Sequence, residues 1–115
     1  MAGKERLICA TGDLFDGGTG IRFEVRSDGV ARPAFAIRWR GEVHGYINEC
    51  RHQQSELDWE TGDFFDAAKL YLVCATHGAL YAPDSGLCMA GPCRGARLQA
   101  VMLAEHHGGI YCIED

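Results

Sequence analysis

Two short motifs hold the residues best suited to chemistry. Cys50-Arg51-His52 is a C-x-H and Cys74-Ala75-Thr76-His77 a C-x2-H, with residues 53–73 between them. Each offers one thiolate and one imidazole, donors that suit soft and borderline metals. Four such donors can close a tetrahedral zinc site. They can also hold a 2Fe-2S cluster, where two neutral imidazoles in place of two thiolates on one iron remove negative charge and ease reduction. Mixed centres of that kind lie at about −150 to +300 mV, against about −400 mV for four-thiolate plant-type centres.

The elements around the motifs read as strands. From Gly20 to Ser27, Ile21, Phe23 and Val25 alternate with Arg22, Glu24 and Arg26, as in a half-buried strand. A turn at Asp28-Gly29 leads to Phe35, Ile37 and Trp39 set against Arg38 and Arg40, and Gly41-Glu42 reverses the chain into 43–48, just before Cys50. The apolar run Leu70 to Val73 ends at Cys74, and Ala79 to Tyr81 follows His77. Each motif therefore stands where a strand gives way to a loop, so two neighbouring loops could grip one object. Beyond them come a turn at Asp84-Ser85-Gly86, a glycine-rich stretch to Gly95, and strands from Arg97 to Ala104 and Ile110 to Ile113 flanking Gly108-Gly109. Residues 53–66, with Trp59, Phe64 and Phe65, read as an ordered loop with a short helical turn. Fifteen glycines against three prolines favour tight turns over long helices, and the fold class expected is all-β.

Bulk properties narrow the function. A chain of 115 residues suits one compact domain. The net charge of −5 argues against nucleic acid and suits docking to a positively charged protein patch. No secretory signal is read at Met1 to Arg6, and the stretch Leu70 to Pro83 falls short of the ~20 apolar residues of a membrane span. The expectation is a soluble, cytoplasmic, monomeric protein with no membrane partner, in which six cysteines serve metal binding or remain thiols. No G-x-G-x-x-G fingerprint is present, so electrons would have to come from a partner and not directly from a nicotinamide cofactor.

Through Cys50-Arg51-His52, Cys74-Ala75-Thr76-His77-Gly78, Tyr81, Ser85-Gly86 and Gly91-Pro92, residues 41–98 resemble the Rieske family. The resemblance implies a 2Fe-2S cluster with Cys50 and Cys74 on one iron, His52 and His77 on the other, and a third loop at Gly91-Pro92 shielding it. It implies an antiparallel β-sandwich or barrel base (1–43 and 97–115) with an inserted cluster-binding subdomain (44–96). The function implied is one-electron transfer between a reductase and a terminal oxygenase, by a carrier and not an enzyme. With so few residues after 98, the expectation is that the non-haem iron domain of an oxygenase is not part of this chain. The alternatives are a small Rieske-like subunit of an oxidoreductase such as nitrite reductase, a redox-sensing module, and a zinc-stabilised interaction module. Zinc fingers group Cys with Cys and His with His, and the interleaved order here fits the Rieske pattern better.

Departures from the family also inform. Polar residues stand where the respiratory members carry an extra disulfide, and Ala79 stands where they place a serine that hydrogen-bonds the cluster, while Tyr81 is kept. Hydrogen bonds to sulfur stabilise the reduced state, so a potential below the respiratory type is expected. Residues 53–73 make a longer spacer than dioxygenase ferredoxins use.

The remaining candidates have plainer readings. Cys9, Cys88, Cys93 and Cys112 read as small buried hydrophobes, with Cys88 and Cys93 as a candidate oxidation-sensitive pair. His44 reads as a strand surface residue, and His106 and His107 as solvent-exposed turn residues, since on a strand they would face opposite sides. Glu56, Asp58, Glu60, Asp63 and Asp66 read as a solvated acidic face.

Overall fold

The computed structural model describes residues 4–27, 29–49, 57, 64–66, 68–74, 78–91 and 95–114. Its strands are β1 (Lys4–Ala10), β2 (Ile21–Ser27), β3 (Val30–Trp39), β4 (Glu42–Ile47), β5 (Leu72–Val73), β6 (Leu80–Tyr81), β7 (Cys88–Ala90), β8 (Ala100–Val101), β9 (Leu103–His106) and β10 (Gly109–Glu114). A 3-10 turn at Thr11–Asp13 follows β1. Three sheets result, with strand orders β1-β10-β9, β2-β3-β4-β8 and β5-β6-β7. All named pairings are antiparallel. The all-β expectation holds.

Strand β3 explains the layering. A strand facing water on one side buries every second residue, but Ala34, Phe35, Ala36 and Ile37 are all fully buried. Phe35 and Ile37 join a core with Tyr46, Leu57, Phe64, Leu72, Cys74, Ala79, Tyr81, Cys88 and Leu98. Ala34 and Ala36 point the other way, the first packing with Val25, Ile47 and Cys112, the second with Leu14 and Ile110. The β2-β3-β4-β8 sheet is therefore a shared middle layer, with the β1-β10-β9 sheet on one face and the β5-β6-β7 sheet on the other. On β2 the alternation read from sequence holds, with Val25 buried and Arg22, Glu24 and Arg26 exposed.

Several boundaries differ from expectation. Strand β1, which the short apolar run did not announce, pairs with β10 through a bulge between Leu7 and Cys9. The β3–β4 reversal centres on Arg40-Gly41, with φ of 52° and 83°, and the β9–β10 reversal on His107-Gly108, with φ of 51° and 75°. Tight hairpins need two consecutive left-handed residues to match strand twist. Arg40 and His107 accept that conformation, which moves each turn one residue ahead of the expected place. Gly109 instead sits in the close packing between sheet and side chains, where a Cβ would lie 2.8 Å from Leu7 Cδ1. The expected single strand from Arg97 to Ala104 is broken at exposed Met102: β8 pairs with β4, and β9 changes sheets to pair with β10.

That turn geometry puts His107 in an exposed turn, as its sequence reading has it, and leaves His106 at the end of β9. Because His107 leaves the strand, its Nδ1 lies 2.9 Å from His106 Nδ1. The other His106 nitrogen lies 2.9 Å from Glu5 Oε1, and its ring stacks on Tyr111.

Candidate metal centre

Four expected ligands would have to converge from two loops. Cys74 is the one among the described residues; Cys50, His52 and His77 lie outside them. Strand β5 delivers Cys74 because Leu72 is buried and paired with Tyr81, while Val73 donates its N–H to Phe64 O at 2.8 Å. The hairpin is then closed around 75–77 by two backbone bonds, Cys74 N–H to Ala79 O at 2.9 Å and Gly78 N–H to Cys74 O at 2.7 Å. Cys74 has no exposed surface and sits in the same core as Ala79, Tyr81 and Cys88.

The third loop leaves β7 at Gly91 and returns at Gly95, whose N–H donates to Cys88 O at 3.1 Å, while Cys88 N–H donates to Ala96 O at 2.7 Å. Gly91 has a φ of +103°, and a Cβ there would stand 2.8 Å from Ala79 Cα. Only a residue without a side chain lets this loop lie so close to the Cys74 hairpin. The buried Cys88 thiol donates to Ala90 O at 3.3 Å. The partner proposed for it, Cys93, lies outside the described residues.

The first loop is rooted in the same core. The chain leaves β4 at Asn48, whose N–H donates to Pro33 O at 2.9 Å, and its buried side-chain oxygen accepts the Leu57 N–H at 2.8 Å. Leu57 is fully buried in the same core as Cys74. Phe64 stacks on Phe35 with ring centroids 4.0 Å apart, and Phe65 pairs with Leu72. These two aromatics belong to the core; Trp59 lies outside the described residues. Of the acidic segment only Asp66 is described. Its Oδ1 accepts the N–H groups of Leu70 at 2.9 Å and Tyr71 at 3.2 Å, which makes it the cap of the turn into β5.

Tyr46 joins β4 to the β6–β7 turn. Its hydroxyl donates to Pro83 O at 2.8 Å. Burial, with Asp84 adding to it and Arg97 opposing, holds its phenol well above the usual tyrosine range. Sequence reasoning passed over Tyr46 and Asn48, because nothing in a strand pattern marks which polar atom will find its partner across a core. His44 is half-buried on β4, close to the surface role expected of it.

A donor pair of one thiolate and one imidazole per loop, one thiol already shielded from water, suits a mixed sulfur and nitrogen metal site. Three loop stems share one core within a small antiparallel β protein. A profile of the Rieske 2Fe-2S domain matches residues 5–107, and the chain belongs to that family. Its cofactor is the Rieske-type 2Fe-2S cluster.

Solved structures agree on the fold. The ferredoxin of carbazole 1,9a-dioxygenase from Nocardioides aromaticivorans IC177 is 20% identical with a TM-score of 0.73, the match covering 97% of this chain and 99% of that one. The Sphingomonas yanoikuyae B1 ferredoxin is 19% identical with a TM-score of 0.69 over the same shares. A chain from the complex of reduced oxygenase and oxidized ferredoxin in carbazole 1,9a-dioxygenase is 20% identical with a TM-score of 0.72, over 96% of this chain and 94% of that one. No curated protein matches the chain. Among the described residues no helix is long and apolar enough to cross a membrane.

Proposed function

We propose that the chain is a one-electron carrier whose cluster is held by Cys50, His52, Cys74 and His77, and that it passes electrons from a reductase to a terminal oxygenase. When bound, the cluster supplies a one-electron couple at a potential raised by its two imidazoles. The residues of the chain do the rest. Cys74 offers its thiolate from a waterless core, the Gly91 loop lies against the Cys74 hairpin, and Asn48 anchors the segment that carries Cys50 and His52.

The observation that carries this reading is the buried Cys74 at the root of a closed hairpin, inside a family match that spans both Cys/His motifs. The oxygenase partner is inferred from ferredoxins of like fold that are named for dioxygenase systems. The division into a base (1–43 and 97–115) and a cluster-binding subdomain (44–96) is supported by the sheets. Strands β5, β6 and β7 fall wholly inside the second range, and β1–β3 and β8–β10 wholly inside the first. We place the protein in the cytoplasm as a monomer without catalytic activity of its own, since a reducing compartment preserves thiolate ligands.

The test is an anaerobic preparation examined by visible absorbance, electron paramagnetic resonance and metal analysis, followed by reconstitution with a reductase and an oxygenase. Two irons per chain and a reduced-state Rieske signal are expected. One zinc per chain in a colourless protein would replace this reading with the interaction module.

A further inference from the structure

Asn48 is 1% exposed and is the only amide or charged side chain buried among the described residues. An amide inside an apolar core is costly unless its polar atoms are matched. Its side-chain oxygen accepts the Leu57 N–H at 2.8 Å, across nine positions of chain. Its backbone meanwhile stays on the sheet, donating to Pro33 O at 2.9 Å, while Glu49 N–H donates to Ile47 O at 2.9 Å. That last bond is a three-residue turn centred on Asn48, which steers the chain out of β4 just before Cys50.

The consequence is a stitched loop. The segment between Asn48 and Leu57 carries Cys50 and His52 in sequence, and its far end, Leu57, has its backbone fastened to Asn48 and its side chain in the same buried core as Cys74 and Ala79. The second motif is rooted in that same core through Cys74. One side-chain oxygen thus ties the two ends of the first segment to each other, within the core that also roots the second motif.

We propose that Asn48 is a positioning residue for Cys50 and His52, holding the first ligand loop in register with Cys74 and His77. The proposal rests on the reading of those four residues as ligands. Other side chains do the job less well. Serine is too short to reach Leu57, leucine has the volume but no acceptor, and aspartate keeps the acceptor while adding a charge. Groups that orient metal ligands without touching the metal typically carry a 10- to 100-fold effect on metal retention.

The test compares the cluster-loaded wild type with Asn48→Leu and Asn48→Asp. Three quantities are read: deuterium uptake of a peptide containing Leu57, the rate of iron release to a chelator, and the electron paramagnetic resonance line positions with the midpoint potential. Asn48→Leu should expose the Leu57 amide to exchange, speed iron release about 10- to 100-fold, and shift the line positions. Asn48→Asp should restore protection and slow release toward wild type. Should Asn48→Leu not fold, Asn48→Ser serves as the milder loss of the same bond.

Faster exchange at Leu57 with unchanged iron release, spectrum and potential would overturn the positioning role. Failure of the ligand reading looks different: Cys50→Ala and His52→Ala would then assemble a normal cluster, whatever Asn48 does.

Discussion

Arg38 on β3 grips Glu105 on β9 with both terminal guanidinium nitrogens, Nη1 to Oε1 at 3.1 Å and Nη2 to Oε2. The same guanidinium donates to Leu14 O at 2.9 Å, Gly41 O at 3.1 Å and Thr11 O at 3.3 Å, so one side chain ties the middle sheet to the base sheet and to the loop after β1. Such two-pronged pairing is the strong form of a charged hydrogen bond.

The pair makes stability depend on acid. The hydrogen bonds from Arg38 hold the Glu105 carboxyl below the usual carboxylate range, with burial opposing. A carboxyl that is more acidic in the native state adds stability above its unfolded value of about 4.3, and that contribution is lost as pH falls through the native value. Glu105→Gln should therefore lower stability at neutral pH and flatten the loss of stability below about pH 4.3. Denaturant titrations at several pH values check this, and parallel curves for both proteins would refute it.

Tyr46→Phe removes the hydroxyl that satisfies Pro83 O and leaves that carbonyl buried without this donor. A cost of about 1–3 kcal/mol is expected in equilibrium unfolding. The same variant should abolish one late step in alkaline spectrophotometric titration, because the Tyr46 phenol is held above the usual range by burial. A native phenol that resists ionisation also means stability falls as pH climbs past about 10 in the wild type, and less so in the variant.

Gly91→Ala forces a methyl to within 2.8 Å of Ala79 Cα at a φ of +103°. Either the third loop or the Cys74 hairpin must retreat. A loss of about 1–3 kcal/mol and faster bleaching of the visible chromophore in air are expected. Scanning calorimetry and timed absorbance are the measurements, and wild-type values in both would show that the contact is slack.

Cys74→Ser and His77→Ala should each yield protein lacking the visible spectrum, with Cys74→Ser still showing the β-sheet circular dichroism of the base. Intact absorbance in either variant removes that residue from the ligand set.

Ala79 is buried and contributes no hydroxyl, and the Rieske resemblance implies that respiratory members have a hydrogen-bonding serine at this position. The midpoint potential should lie below that of respiratory centres, and Ala79→Ser should raise it. Voltammetry at fixed pH decides, and an unchanged or lowered potential in Ala79→Ser would contradict the assignment.

Much of this molecule was legible before its fold was seen. The charged and apolar alternation of residues 21–26 marked β2, and glycines marked the reversals, because period-two burial and left-handed turns leave direct traces in sequence. What stayed hidden depends on tertiary partners. Ala34 and Ala36 look neutral in a sequence, yet they reveal that β3 is buried on both faces. Phe64 and Phe65 read as part of an ordered loop until Phe35 is found stacked on the first. The His106 and His107 contact follows from one backbone angle that a histidine seldom adopts. Of the expected ligands, Cys74 was placed by its position after a short apolar run, and the structure adds the hairpin that closes behind it.

Since β3 is a party wall lined on both sides, neither half of the molecule can be excised or allowed to melt without stripping insulation from the other. A substitution that loosens the packing on one face is thereby felt on the other, and the two outer sheets share whatever stability that strand supplies.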